Sequence, residues 1–202
     1  MATMGRPRQF DRSEALRNAM SVFWRYGYES TSMAQLKQAM GGISAASLYA
    51  AFGSKEALYK EAVELYMATS GDQVINALNN TEIEPTEAIA MALRNAAREQ
   101  TNDKGPHGCM VVLSAINCSP ENEHIREAMK AQRRHVRLAF QSRIAQGIAS
   151  GAVPADADAE ALSTYFSTVL NGISIQARDG VTLDVLNKVI DVALTGLDFG
   201  RK

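Results

Sequence analysis

The stretch from Thr31 to Phe52, TSMAQLKQAMGGISAASLYAAF, leaves little choice of local structure. Met33, Leu36, Ala39 and Met40 recur at helical spacing, and Gly41-Gly42 supplies the positive φ that a sharp corner requires. Ser44 then caps a second short helix with Leu48 and Phe52 on its inner side. Two short helices about a glycine corner form a helix-turn-helix, although an ordinary αα-corner between core helices has the same pattern.

The second helix turns Ala45, Ala46, Ser47, Tyr49 and Ala50 outward. Small and hydroxylated side chains let a helix sit deep in a major groove, where Ser and Tyr bond phosphates or base edges and Ala touches a thymine methyl. Charge is distributed to match. Residues 1–60 hold eight Lys and Arg against four Asp and Glu, while the whole chain nets −1, so a basic head precedes an acidic body. That balance suits an N-terminal part that meets a polyanion.

With 202 residues, 46% of them hydrophobic, the chain can bury a core as one large or two modest domains. Few aromatics, five prolines and no sustained alternation of apolar and polar residues make the class all-α. No N-terminal apolar segment reads as a signal peptide, and no run of about 18 apolar residues could span a bilayer. A soluble, cytoplasmic protein without a membrane partner is expected. Cys109 and Cys118 are too few for a disulfide scaffold and are expected as thiols.

Arg6 and Arg8 stand directly before the first helix, either on a frayed terminus or on a basic arm that reaches a minor groove. Asp11 and Glu14 form a capping box for a helix that runs to about Tyr26, with Leu16, Ala19, Met20 and Phe23 on one stripe and Gly27 ending it. Thr31 or Ser32 caps the next helix, placing a hydroxyl and free amides where phosphate could dock. Ser54 caps a long helix that continues through 57–78 and links head to body. Lys55, in its first turn, opposes the helix dipole and invites a DNA phosphate, or is simply solvated.

Ala19, Phe23, Gly27-Tyr28, Thr31-Ser32, Leu36, Ala39, Gly41, Ile43-Ser44, Ser47-Leu48-Tyr49, Phe52 and Ser54-Lys55-Glu56-x-Leu58 occur in one order and spacing. Over roughly residues 8–60 this pattern resembles the DNA-binding domain of the TetR/AcrR transcriptional regulators. The resemblance implies a dimeric repressor whose helical C-terminal domain binds a small molecule and shifts the reading heads. Two positions depart from the family pattern: Gly41-Gly42 carries one glycine more than the usual turn, and Lys37 stands where a small residue often packs. The lysine stem can still cover the helix junction with its ammonium in solvent.

Beyond the linking helix, Asn79-Asn80-Thr81 and Pro85 break the chain before a helix over 86–100 with Ile89, Leu93, Ala96 and Ala97 inward. Residues 108–116 read as a buried helix. A charged helix over 122–147 turns Ile125, Met129, Val136, Phe140 and Ile144 inward and Lys130, Arg133, Arg134 and Arg137 to solvent. A helix starting at Asp156 or Asp158 carries Leu162, Tyr165, Phe166, Val169, Leu170 and Ile173, and Asp179-Gly180 ends it. Thr182 caps the last helix, which has one apolar face through Leu183, Leu186, Ile190 and Leu194 and a second through Val185, Val189 and Val192. A terminal helix with two apolar faces needs two partners, so the last two helices are expected to pair with a second subunit as a four-helix bundle.

These readings give an N-terminal three-helix DNA-binding head, residues 1–56, and a helical ligand-binding and dimerisation domain, residues 57–202. The expected DNA contacts are Thr31, Ser44, Ala45, Ser47, Tyr49 and Lys55, with Arg6 and Arg8 as auxiliaries on a double-stranded, near-palindromic operator. An unidentified small-molecule effector is expected between Met91, Met110, Ser114, Tyr165, Phe166 and Val169. No cofactor, metal site or catalytic residue is expected: His107, Cys109 and Cys118 lack the spacing of a zinc site, and no Cys-His-acid set or phosphate loop is present. The alternatives are a dimeric carrier whose head is disabled by the extra glycine, and a thiol or metal sensor using Cys109 and Cys118.

Overall fold

The computed structural model describes residues 11–198. Every regular element among them is helical: α1 Arg12–Ser30, α2 Met33–Ala39, α3 Ala45–Phe52, α4 Lys55–Tyr66, α5 Gln73–Asn79, α6 Pro85–Gln100, α7 Met110–Leu113, α8 Glu123–Ser150, α9 Ala159–Arg178 and α10 Leu183–Leu194. Side-chain caps mark five of these ten starts. Asp11 accepts from the amides of Ser13 and Glu14, Ser54 from Ala57, and Asp158 from Glu160 and Ala161, which fixes the start of α9 at the second of its two candidate aspartates. Gly27 interrupts α1 with φ +79°, and one more turn carries the chain to Ser30.

Two cores form. The first takes Phe23 and Tyr28 from α1, Leu36 from α2 and Met40 just after it, Leu48 and Phe52 from α3, and Leu58, Tyr59 and Tyr66 from α4, and it also recruits Met110 and Val111 of α7 and Ile125 of α8. The second joins α5, α6, the far half of α8, α9 and α10 through Ile89, Leu93, Phe140, Ile144, Phe166 and Ile190. The head thus shares its core with the beginning of the body, and α7 lies at the junction.

The linking helix is not continuous. A π-turn over Met67–Gly71 separates α4 from α5, where Thr69 Oγ1 donates to the carbonyls of Leu65 (2.8 Å) and Tyr66 (3.3 Å). A β-branched hydroxyl that bonds back to the preceding turn competes with regular helix pairing, and the shifted register rotates everything that follows. Ile125, Met129, Phe140 and Ile144 of α8 are buried as expected, and two local features differ. The segment over 108–116 yields only the single turn of α7, and Arg133 of α8, expected to face solvent, is half-buried and donates to Val111 O at 2.9 Å.

Candidate functional site

In the head, α3 presents the expected face. Ser44, Ala45, Ala46, Ser47, Tyr49 and Ala50 are all exposed, while Leu48 and Phe52 are buried beneath them. Ser44 Oγ accepts from the Ser47 amide at 3.0 Å and lies 2.9 Å from Ser47 Oγ, so the two hydroxyls stand together at the helix start. Tyr49, 49% exposed, is the large side chain on this face. From Thr31 to Phe52 the chain carries no Asp or Glu, so nothing on either helix repels a polyanion.

Gly41 and Gly42 both take positive φ, +87° and +75°, which shows how the extra residue is absorbed. The Gly42 amide donates to Lys37 O at 2.9 Å, α2 ends at Ala39, and α3 begins cleanly after Ser44. The insertion therefore lengthens the turn and leaves both helices seated. Lys37 is half-buried, as a stem covering the junction requires.

A rigid base holds α3 in place. Phe23, Tyr28 and Tyr59 form a ring cluster with centroids 5.0–6.2 Å apart. Arg12 joins three elements: it pairs with Glu61 at 2.8 Å, donates to Ala51 O and lies 4.4 Å above the Phe52 ring.

Two expected contacts are placed differently. Thr31 is only 2% exposed and its hydroxyl donates to Gly27 O at 2.5 Å, so it closes α1 and cannot meet a phosphate. Exposed Ser32 caps α2 instead, in a reciprocal capping box in which Gln35 Oε1 accepts from the Ser32 amide at 2.7 Å. The Ser-x-x-Gln spacing was the signal that distinguishes the two. Lys55 is not a free cation: its ammonium lies 4.5 Å over the Tyr28 ring, and burial pulls its pKa below the usual lysine value while the charge of Glu29 opposes that shift. Arg6 and Arg8 lie outside the described residues.

The body holds a partly open cavity at the junction of the π-turn, α6, α7, α8 and α9. Tyr66, Met67, Val74, Val111, Val112, Val136 and Leu170 give it apolar walls, and Gln100, Cys109, Arg133 and Ser167 add polar groups. None of the six expected effector residues lines it. Met110 and Phe166 are fully buried in the two cores, and Met91 packs against the second core. The Ser114 hydroxyl is paired with Tyr59, Tyr165 is exposed and packs edge-on against Phe166, and Val169 packs against the second core. The π-turn and the short α7 bring a different set of side chains to the space.

Both cysteines are free. Cys109 Sγ accepts from the Tyr66 hydroxyl at 3.3 Å, and burial pushes its thiol pKa upward, which lowers its reactivity. Burial also raises the pKa of Cys118. Among the described residues no three His, Cys, Asp or Glu side chains gather as a metal ion would require, and no helix is long and apolar enough to cross a membrane.

Head and cavity meet at α7. The Ser114 carbonyl accepts from the Tyr28 amide at 2.7 Å, and the Ser114 hydroxyl lies 2.5 Å from the Tyr59 hydroxyl. Arg178, at the end of α9, donates to the carbonyls of Trp24, Arg25 and His107, so it closes α1 and ties it to the loop before α7. On the outer side of the body, Ile175 of α9 and Val185, Val189 and Val192 of α10 are exposed, Val192 by 71%.

Comparisons with known proteins agree with this geometry. Residues 15–62 match the family model of bacterial regulatory proteins of the tetR family, and residues 85–181 match the tetracyclin repressor-like C-terminal domain. The chain is 31% identical over 190 residues to the HTH-type transcriptional repressor ComR of Escherichia coli, covering 94% of this chain and 90% of ComR. It is 30% identical over 183 residues to the repressor BdcR of the same organism, covering 90% and 86%. A cysteine-substituted form of the TetR-family regulator CifR, solved in complex with 26-base-pair operator DNA, superposes with a TM-score of 0.87 at 43% identity, covering 96% of this chain and all of that one. Neither the carrier nor the sensor alternative is favoured by these relatives. An exposed, acid-free recognition face on a helix-turn-helix, joined through a shared core to a helical body, thus has its counterpart along the whole chain, which belongs to the TetR family and is a DNA-binding transcriptional regulator.

Proposed function

We propose that this regulator is a cytoplasmic repressor that binds a near-palindromic operator as a dimer and leaves it when a small molecule occupies the body cavity. Residues 1–56 act as the reading head and residues 57–202 as the effector and dimerisation unit. Ser44, Ala45, Ser47 and Tyr49 face the major groove, Ser32 and the amides at the start of α2 face phosphate, and Arg6 and Arg8 add cationic contacts. The exposed valine stripe of α10 with Ile175 of α9 packs against the same elements of a second copy. The supporting names are those of relatives: ComR and BdcR are repressors, and CifR was solved on operator DNA.

One observation carries the coupling. Tyr66 and Val111 belong to the core that supports α3 and also line the cavity. A ligand that displaces α7 therefore strains the Ser114 bonds to Tyr28 and Tyr59 and biases the spacing of the heads by its differential affinity for the two arrangements. Transmission runs through α7 as well as α4. Selection of genomic fragments bound by the purified dimer should return one motif with two inverted half-sites separated by about one helical turn of DNA or a multiple. Recovery of fragments with no common inverted motif would reject it.

A further inference from the structure

The cavity wall is mainly apolar, yet two of the residues that line it each hold a buried polar atom with no protein partner: Gln100 Oε1, on a residue only 5% exposed, and Ser167 Oγ. Gln100 ends α6 and Ser167 lies within α9, so two different helices each bring a residue with an unpaired polar atom to the lining of the same apolar space. A buried acceptor without a donor forfeits its desolvation energy, and a ligand that brings a donor recovers it. The charged groups of the wall are balanced. Glu99 and Arg133 contribute one charge of each sign, and Arg133 already donates to Val111 O at 2.9 Å. A charged ligand finds no excess counter-charge here to offset its loss of hydration.

We propose that the cavity takes a small, uncharged, largely apolar molecule bearing a hydroxyl group, which donates its proton to Gln100 Oε1 while Ser167 offers a second hydrogen bond. This assignment rests on the reading of the cavity as the effector site. A hydrocarbon of the same shape fills the walls but leaves Gln100 unpaired, so the pocket discriminates by that one bond.

Four probes of similar size separate the possibilities in calorimetric titrations of the full-length dimer: phenol, toluene, benzoate and benzylammonium. Phenol is expected to bind at least about tenfold tighter than toluene and tighter than either ion. In Gln100→Leu the phenol-to-toluene ratio should fall close to one with toluene affinity retained, and Ser167→Ala should lower the ratio by a smaller factor. Circular dichroism checks that each variant is folded, and if Gln100→Leu is not, Ser167→Ala decides. Equal binding of phenol and toluene, tightest binding of benzoate or benzylammonium, no binding of any probe, or a ratio unchanged in the folded variants would overturn the assignment. The same titrations repeated with operator fluorescence separate the two readings. Phenol binding with the expected ratios but without release of DNA would refute the effector role and leave the ligand class standing, whereas release by benzoate alone would do the reverse.

Discussion

The reading head and the body are both helical, but they are packed to different standards. The head closes three aromatic rings beneath α3, and its α2 and α3 are short and capped by side chains. The body joins long helices through Ala, Leu and Ile with one stacked pair, Phe140 and Phe166, at 6.1 Å, and it keeps an open cavity. Buried polar atoms follow the same division. Among the described residues Gln100 Oε1, Arg143 Nε, Ser167 Oγ and Asn187 Oδ1 lack partners, and all four belong to the body. The head is a filled platform that fixes a surface, and the body has room and unmet bonding capacity through which a ligand can act.

The largest expected effect lies on the outer face of the body. Val189→Asp places a carboxylate on each copy of a symmetric interface, and burying the two together should raise the dimer dissociation constant about a thousandfold or more. Sedimentation that still shows a full dimer at low micromolar concentration would place the interface elsewhere. On the head, Ala45→Glu introduces a like charge into the groove and should weaken operator binding about a hundredfold with the melting temperature unchanged. If binding is retained, α3 is not the reading helix.

The seam between the regions is more sensitive than the turn. Gly27 has φ +79° and a Cβ there would stand 2.9 Å from Ser114 O, whereas Gly42 has φ +75° and nothing within 4 Å. Gly27→Ala should cost about 3 kcal/mol in thermal unfolding, from clash and backbone strain together, against about 1 kcal/mol for Gly42→Ala from strain alone. Equal losses would mean that α7 does not brace α1.

The smallest effect near neutral pH concerns Tyr59. Burial pushes the Tyr59 hydroxyl up to about 12, so its contribution is fully present below the unfolded value near 10 and is lost as pH rises from there through 12. The loss is about 3 kcal/mol, and Tyr59→Phe should remove that part of the alkaline decline while costing about 1 kcal/mol near neutrality for the unpaired Ser114 hydroxyl. Tyr66, whose pKa burial also raises, leaves a remainder of the decline in the variant. An alkaline melting curve identical to that of the unaltered protein would show that Tyr59 is not the titrating group.

The two regions also differ in how much of them could be read from the chain. Head features are local: Asp11, Ser44 and Ser54 act on amides two or three residues away, and the glycine pair dictates its own corner. The outward face of α3 follows from those few residues. In the body the helices were legible from their apolar stripes, but a cavity depends on the relative rotation of five elements. The π-turn over Met67–Gly71 and the single turn of α7 set that arrangement, so Tyr66, Gln100 and Cys109 line the space in place of Met91, Ser114 and Tyr165. Arg133 and Lys55 show the same limit for charges, since a long side chain can fold back onto a carbonyl or a ring that only the tertiary structure supplies.

DNA recognition is tested most directly by fluorescence anisotropy with labelled DNA from upstream of the protein's own gene, in excess scrambled duplex, at two salt concentrations. A dimer reading through α3 predicts binding that survives the competitor and falls steeply with salt, with a slope that reports the number of phosphates neutralised. Weak binding of equal strength to both DNAs, together with no enriched inverted motif among genomic fragments, would contradict it.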